Sequence, residues 1–356
     1  MTYPCPSFRI GSRPVGGDAY CFIIAEMSAN HCGSFDLAME IVERAHESGA
    51  DAIKLQTYTP DSLTMDSSKP YFQISNETLW GGQNLYQLYQ GAYMPWDWHA
   101  PIFKRARELG LICFSTPFDQ EGVELLKSLD CPAYKIASFE AIDGELIYSI
   151  AQQQKPVILS TGMCQKDEIE RALSIIQGAG VSEIGLLKCT SAYPAKHEAM
   201  NLKTLGGYKA YPVVPGLSDH SRGATAAITA VALGAKIIEK HFVIDPHCSS
   251  PDASFSMTPS SFKFMVESIR EAEQSLGTMQ FGPSENEKSS VTFRRSIFVV
   301  KDLQKGEVIT REHVRVIRPG HGLHPKYFNQ VLGQIATENI EAGEPLLKGH
   351  LSFNLF

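Results

Sequence analysis

The chain has 356 residues, of which 43% are hydrophobic and 20% charged, and this suffices for two domains or for one large domain with an appendage. Such a composition excludes a disordered, collagenous or coiled-coil chain. The 32 basic and 39 acidic residues give a net charge of −7 without a basic block, so neither a nucleic acid nor an anionic membrane is an expected partner.

Short apolar segments typical of strands alternate with helical segments along most of the chain. The predicted strands span residues 21–26, 52–56, 111–116, 133–138, 156–161, 184–190, 213–218 and 236–242. The predicted helices span residues 35–48, 102–109, 121–129, 144–153, 166–177, 223–233 and 260–276. Eight strands alternating with helices predict an α/β fold of the (β/α)8 TIM-barrel type, because a doubly wound open sheet usually has fewer strands.

Residues 65–98 fit no βα unit of this pattern. The segment is rich in Tyr, Trp, Gln and Asn, and it is predicted to be a long loop inserted at the mouth of the barrel.

The predicted barrel domain, residues 1–282, is followed by a polar linker, residues 283–290, and by a second domain, residues 291–356. Two segments of that domain resemble each other, KDLQKGEVIT and ENIEAGEPLL. Each is typical of two strands joined by a turn, so a compact β domain of two similar halves is predicted.

Eight scattered cysteines without a CxxC pair predict no disulfide framework in so long a chain. The first residues contain no apolar signal region, and no segment reaches the roughly 18 apolar residues of a membrane span. We therefore expect a soluble, cytoplasmic protein.

Strand alternation predicts a site. In AIKLQ and AYKIAS, Lys54 and Lys135 face away from the aliphatic residues, and in IGLLKCT the same alternation places Lys188 with Thr190. Because aliphatic side chains of a barrel strand pack outward on helices, all three lysines are predicted to enter the lumen near the strands' carboxyl ends. Three enclosed ammonium groups repel each other, so an anion carrying a phosphate and a carboxylate is expected among them.

Hydroxyl side chains follow the same strands and are expected to supply hydrogen bonds at the same mouth. They are Ser115, Thr116, Ser138, Ser160, Thr161, Thr190, Ser191 and Ser218.

His220 and His241 end predicted strands seven and eight, one βα repeat apart. Neighbouring strands lie about 5 Å apart, so both imidazoles can reach one divalent ion. Two histidines with oxygen donors suit Mn²⁺, Mg²⁺, Co²⁺ or Zn²⁺ acting on a carbonyl group. Glu26, Asp219 and Asp252 are the carboxylates expected nearby.

The motifs AEMSANHCGS, GADAIKLQTYTPDSLT, FSTPFD, AYKIASFE, LSTGM, LKCTSAYP, GLSDHS, EKHF and RPGHGLHPK resemble the sialic acid synthase family over residues 21–351. The tail resembles that family's antifreeze-like (SAF) β-clip domain. The resemblance implies an enzyme that condenses phosphoenolpyruvate with an N-acetylated amino-sugar aldehyde and water to give a nonulosonic acid and phosphate. It also implies a divalent cofactor, Mn²⁺ with Mg²⁺ or Co²⁺ as alternatives, and a domain-swapped homodimer.

Matching residues carry the roles that the resemblance implies. Those for phosphoenolpyruvate are Lys54, Thr116, Lys135, Ser138, Ser160, Lys188, Thr190 and Ser218. Those for the sugar are Gln56, Glu140, Tyr193, Asp252 and Arg318, the last from the partner subunit's tail. His220 and His241 would hold the metal, and the catalytic group would be these two with Lys54 and Glu26, which positions water or the sugar carbonyl.

Departures from the sialate-type pattern at residues 27–29 and at Phe139 favour a family branch whose substrate is a 6-deoxy diacetamido sugar, 2,4-diacetamido-2,4,6-trideoxy-L-altrose. Aromatic residues of the insertion either form a wall for its methyl group or pack the loop: Tyr71, Phe72, Trp80, Tyr86, Tyr89, Tyr93, Trp96 and Trp98.

Other functions remain open at this point. N-acetylneuraminate or legionaminate synthesis would use the same chemistry on another sugar. A pyruvate aldolase would form a Schiff base through Lys188. A non-catalytic sugar-binding protein could use the same fold.

Overall fold

The computed structural model describes residues 5–76 and 80–352. It begins with an antiparallel hairpin, β1 (Ser7–Ile10) and β2 (Arg13–Gly16), which the sequence patterning did not predict. Ile10 is fully buried, and a Cβ added at Gly16 would lie 2.6 Å from Cγ2 of Val214, the first residue of a barrel strand. The hairpin therefore covers the amino-terminal end of the barrel.

Eight parallel strands form a closed barrel, which confirms the predicted TIM fold. They are β3 (Phe22–Glu26), β4 (Ala52–Thr57), β5 (Ile112–Pro117), β6 (Tyr134–Ile136), β7 (Val157–Ser160), β8 (Ile184–Cys189), β9 (Val214–Asp219) and β10 (Ile237–His241). β10 pairs with β3 and places His241 opposite Glu26, so the first and last strands end side by side.

The helices of this barrel unit are α1 (Phe35–Glu47), α2 (Pro60–Leu63), α3 (Leu85–Ala92), α4 (His99–Glu108), α5 (Gln120–Ser128), α6 (Gly144–Ala151), α7 (Lys166–Gly178), α8 (Thr225–Ala232) and α9 (Pro259–Leu276). Polar N-caps begin several of them; the Ser34 and Asp119 side chains accept from the backbone N–H groups of Leu37 and Gly122. In the described ranges, we find no helix both long and apolar enough to cross a membrane.

Asp51 joins three elements at the amino-terminal end of the barrel. Its Oδ2 accepts from the Ile23 amide at 2.9 Å and from Arg270 at 3.2 Å, and its Oδ1 pairs with Arg13. One buried carboxylate thus connects the hairpin, strand β3 and helix α9.

The inserted segment 65–98 contains α3, which the sequence analysis did not predict. Asn84 begins this helix with a reciprocal capping box to Gln87. Leu85, Leu88 and Ala92 recur at helical spacing and share one face.

The chain divides into two compact units, Met1–Gly277 and Thr278–Phe356. The predicted linker, residues 283–290, falls inside the second unit, where Glu285–Phe293 forms 3-10 turns.

Strands β11 (Ser296–Val299) and β12 (Val314–Ile317) pair antiparallel in the second unit, which also contains α10 (Phe328–Val331). Leu303 and Ile340 exchange reciprocal backbone hydrogen bonds of 2.9 Å. The two similar sequence segments therefore pair with each other.

Gly216 of β9 provides a test of barrel packing. A Cβ there would lie 2.6 Å from the Ile237 carbonyl oxygen, so Gly216→Ala forces neighbouring backbone to move. We expect a loss of about 2 kcal/mol or more in the free energy of unfolding, measured by urea titration. Gly178→Ala, at an open position in α7, is the matched control and should change stability by less than about 1 kcal/mol. Equal effects of the two substitutions would contradict this account.

Candidate active site

A cavity of about 430 Å³ opens at the carboxyl ends of the barrel strands. Its polar floor is lined by Glu26, Lys54, Lys135, Ser138, Ser160, Ser218, His220, Glu239 and His241. The sequence analysis predicted all of these lining residues except Glu239.

Two lysines and two carboxylates form a buried charge cluster on this floor. Lys54 Nζ lies 2.6 Å from Glu26 Oε2 and 3.5 Å from Glu239 Oε1, and Lys135 Nζ lies 3.9 Å from the same Glu239 oxygen. Ser218 Oγ donates to Glu239 at 3.2 Å. The expectation that only a bound anion offsets the lysines is therefore corrected, because the protein supplies two carboxylates of its own.

The two carboxylates of the cluster differ in acidity. Burial raises the pKa of Glu26 to about 7, against the lowering effect of Lys54. Burial alone would also raise the pKa of Glu239, but the charges of Lys135 and Lys54 outweigh it and hold that pKa below its usual value. Near neutral pH, Glu26 can therefore gain and lose a proton while Glu239 stays ionised.

The prediction that Lys188 points into the lumen is wrong. Cys189 of β8 lines the cavity, so the adjacent Lys188 faces the other side of the strand. Its ammonium donates to the Cys189 carbonyl oxygen at 2.6 Å and to Thr190 Oγ1 at 3.4 Å. Of the lysines in the described ranges, Lys54 and Lys135 alone line the cavity, and Thr190 lies with Lys188 outside it.

The other predicted hydroxyl groups divide. Ser115, Thr161 and Ser191 do not line the cavity; Ser115 Oγ hydrogen-bonds Thr57 Oγ1 at 2.7 Å, and Thr161 Oγ1 donates to the Leu187 carbonyl oxygen at 3.1 Å. Lys54 Nζ donates to buried Thr116 Oγ1 at 3.2 Å. Ser138 Oγ accepts from the Gly162 amide at 2.9 Å, and Ser160 Oγ is buried without a hydrogen-bond partner. An unpaired buried hydroxyl facing a cavity is available to a ligand.

The structure brings the His220 and His241 rings to within 5.3 Å of each other, centroid to centroid. Nδ1 of His220 lies 3.1 Å from the Thr190 carbonyl oxygen, which leaves Nε2 for another partner. Nδ1 of His241 is buried without a hydrogen bond, 3.8 Å from Asp252 Oδ2. Burial and the charges of His220 and Lys54 lower the pKa of His241, which keeps the ring neutral as a metal ligand must be.

This pair fits a divalent ion with two protein ligands. Among the described residues, no group of three or more His, Cys, Asp or Glu side chains is placed to hold a metal. Water or substrate oxygens would therefore complete the coordination, as hard divalent ions prefer.

The predicted sugar-binding residues divide between the two units. Gln56, Glu140, Tyr193 and Asp252 line the cavity. Burial raises the pKa of Glu140 to about 7. Arg318 belongs to the second unit, where it is exposed at the end of β12.

The three rim residues 27–29 do not all face the site. Ser28 and Ala29 line the cavity, whereas Met27 is buried in the barrel core. Phe139 lines the cavity and is 58% exposed.

One wall of the cavity is apolar and comes largely from the insertion. It is lined by Leu63, Ile74, Trp80, Leu85, Leu88, Tyr89, Ala92 and Phe118. Among the aromatic residues of the insertion, Trp80 and Tyr89 line the cavity, whereas Trp98 packs edge-on against His31 and Phe35. A contact of this wall with the methyl group of a sugar stays a prediction.

The sequence is similar to curated synthases along most of its length. "Pseudaminic acid synthase" of Campylobacter jejuni subsp. jejuni serotype O:23/36 (strain 81-176) is 46% identical over 330 residues, 92% of this chain and 96% of that protein. "N,N'-diacetyllegionaminic acid synthase" of Legionella pneumophila is 37% identical over 350 residues, 96% of this chain and 97% of that protein.

A solved structure has the same fold. The N-acetylneuraminic acid (sialic acid) synthetase of Leptospira borgpetersenii, in complex with citrate, aligns with a TM-score of 0.73 and 28% identity over 82% of this chain and 97% of that one.

Family comparison covers both units. Residues 41–281 match the NeuB family and residues 294–352 match the SAF domain, which confirms the resemblance that the motifs carry. The chain belongs to the NeuB family, with a SAF domain as its second unit.

Proposed function

We propose that the protein condenses phosphoenolpyruvate with 2,4-diacetamido-2,4,6-trideoxy-L-altrose and water to give pseudaminic acid and phosphate. The observation that carries this proposal is the two-sided cavity, whose charged floor faces an apolar wall. The 46% identity to a pseudaminic acid synthase supports it over the sugars of related synthases.

The floor suits phosphoenolpyruvate, which carries a phosphate and a carboxylate. Lys54 and Lys135 supply positive charge, and the hydroxyls of Thr116, Ser138 and Ser160 supply hydrogen bonds. Because Lys54 and Lys135 are buried, these groups bind anions more strongly than they would at the surface.

His220 and His241 would hold a divalent ion, for which we propose Mn²⁺, with Mg²⁺ or Co²⁺ as alternatives. When bound, the ion polarises the aldehyde carbonyl of the sugar.

The bond changes balance as follows. The methylene carbon of phosphoenolpyruvate bonds to the aldehyde carbon, whose oxygen takes a proton to become a hydroxyl. Water adds to the electron-poor central carbon and loses a proton. The bond from that carbon to the phosphate oxygen then breaks, and the remaining hydroxyl proton passes to the departing phosphate, which leaves a ketone and free phosphate.

The cluster residues can serve these steps. Glu26, with a pKa of about 7, can hold or release a proton beside the reacting carbons. Glu239 stays ionised, and its negative charge stabilises the positive charge that develops on the central carbon. Lys54 and Lys135 offset the charge of the leaving phosphate.

The sugar would lie between the floor and the apolar wall. Gln56, Glu140, Tyr193 and Asp252 would bind its hydroxyl and amide groups. Helix α3 would contact its 6-methyl group.

We further propose a homodimer in which Arg318 contacts the sugar bound by the partner subunit, as the family resemblance implies. We propose the cytoplasm as its location, because the phosphoenolpyruvate that it consumes is a product of glycolysis.

Phosphate release tests the proposal. We expect release from phosphoenolpyruvate with Mn²⁺ and the trideoxy altrose sugar, none with its legionaminate-pathway counterpart or with N-acetylmannosamine, and none after EDTA treatment. Release with N-acetylmannosamine alone would refute the sugar assignment. Borohydride trapping of a pyruvate adduct, without a metal requirement, would instead indicate an aldolase, and binding without turnover a sugar-binding protein.

Glu239→Gln separates binding from chemistry. Removing one negative charge beside Lys54 and Lys135 should lower the KM for phosphoenolpyruvate, while kcat falls about tenfold or more because the developing positive charge loses its counter-charge. Steady-state kinetics measure both constants, with exposed Glu124→Gln as the charge-matched control. A raised KM with unchanged kcat would contradict the assigned role.

Leu88→Asn tests the apolar wall. We expect kcat/KM for the trideoxy sugar to fall about tenfold, because a polar side chain replaces the surface that contacts the methyl group. Gln90→Asn, exposed on the same helix, is the control and should retain wild-type kcat/KM. If both variants kept wild-type kcat/KM, α3 would have no part in sugar recognition.

A further inference from the structure

The first and last loops of the barrel meet at the cavity mouth, because β3 and β10 are hydrogen-bonded neighbours. Asn30 Nδ2 in the first loop donates to the Phe242 carbonyl oxygen and to Ser256 Oγ of the last loop, both at 2.9 Å. The Asp252 carboxylate lies beside the Ser28 hydroxyl and the Ala29 amide, which favour its ionised form. We refer to this line of contacts between residues 28–32 and 242–256 as the loop seam.

Two cysteine thiols lie on the loop seam. The thiols of Cys32 and Cys248 are neighbours that interact electrostatically, and Ser249 and Ser250 lie beside the Cys32 thiol. Both cysteines are partly exposed and free. No step of the proposed reaction uses either thiol.

The backbone fixes Cys32 in this place. Its φ of +48° lies in the left-handed region, which non-glycine residues rarely adopt unless surrounding contacts hold them. Its thiol also points at the Asn30 carbonyl oxygen, 3.5 Å away, so side chain and backbone are both held at the seam.

We propose that Cys32 and Cys248 are a redox-active thiol pair, and that their oxidation to a disulfide lowers sugar turnover by displacing Asp252. The oxidant is a small-molecule disulfide such as oxidised glutathione, or another of that class. A Cys248 thiolate attacks one glutathione sulfur and releases one reduced glutathione. Cys32 then displaces the second, so the protein loses two electrons and two protons and two molecules of reduced glutathione form.

The order of attack follows from the environment of Cys32. Burial, with the Cys248 thiol beside it, raises the pKa of Cys32 to about 11, so this thiol stays protonated at neutral pH. A protonated thiol is a poor nucleophile, which makes Cys248 the first attacker and Cys32 the second.

A disulfide at Cys248 would affect the active site because Asp252 is only four residues further along the chain. A disulfide brings the two sulfurs to about 2.05 Å, closer than two separate thiols can approach. Cys248 lies four residues before Asp252, and the Asp252 amide donates to Ser250 Oγ at 3.1 Å. A movement of Cys248 is therefore expected to move the Asp252 carboxylate, which is assigned to sugar binding. A displacement of a substrate-positioning group by about 1 Å can cost up to a hundredfold in rate.

The other cysteines in the described ranges have different surroundings. Cys189 lines the cavity with its sulfur 3.7 Å from Nδ1 of His220, and Cys164 is partly exposed. Cys21, Cys113 and Cys131 are buried, and burial raises the pKa of each. Cys5 is exposed, so Cys5→Ser is a matched control for loss of one thiol.

Oxidation of the intact protein with glutathione disulfide tests the pair. Non-reducing peptide mapping should recover a peptide that links residues 32 and 248, about 2 Da lighter than the sum of the two thiol peptides. The linked protein should lose at least tenfold in kcat/KM for the sugar and regain it with dithiothreitol. Cys32→Ser and Cys248→Ser should keep the starting activity and resist the loss, whereas Cys5→Ser should behave as wild type.

Two results would overturn the proposal. One is recovery of residues 32 and 248 as separate thiols or separate glutathione adducts after full oxidation of the sample. The other is a linked protein with unchanged kcat/KM. The activity readout rests on the proposed function and uses whichever sugar supports phosphate release, whereas the peptide map does not depend on turnover, so the two failures are distinguishable.

Discussion

The buried charge cluster of Lys54, Lys135, Glu26 and Glu239 constrains the rest of the barrel. Removing an ionised group from water costs several kcal/mol unless its charge meets an opposite one. The strands must therefore end in a register that brings β3, β4, β6 and β10 to one layer, and the measured contacts of 2.6–3.9 Å show that they do. The closed sheet supplies this register because neighbouring parallel strands are fixed to each other along their length. An anion that binds at this floor therefore meets two carboxylates as well as two lysines.

The same cavity separates two kinds of recognition by element. Strand ends, which are rigid, carry the charged groups and the histidine pair, whereas an inserted helix carries much of the apolar surface. His31 of the first barrel loop connects the two, because its ring packs edge-on against Trp98 of the insertion, with ring centroids 5.5 Å apart. Burial lowers the pKa of His31 to about 4, so the ring stays neutral and the connection does not change its charge near neutral pH. Inserted loops vary more readily than the strands that they connect, so the apolar surface can change while the charged floor is kept.

The sequence could predict the barrel because each strand is a short apolar run between helices with their own periodicity. Side-chain alternation then located Lys54 and Lys135 correctly, since their neighbours on those strands are apolar and pack outward. It failed at Lys188, because Leu187 and Cys189 are also apolar yet face inward, and apolarity alone does not tell the lumen from the outer layer.

Glu239 was missed although IIEKH holds the signal, since a residue two before an inward His241 shares its face. Its neighbour Lys240 faces outward and is neutralised by Asp219 at 2.7 Å, a pairing that only the register between β9 and β10 reveals.

Helix α3 had its own sequence signal in the Asn84 and Gln87 capping box and the spacing of Leu85 and Leu88. The loop seam had none, because barrel closure alone brings Cys32 and Cys248 together across 216 residues of chain. Barrel closure makes the first and last loops neighbours at the cavity mouth. A covalent bond between these loops would therefore move residues of both loops that line the cavity.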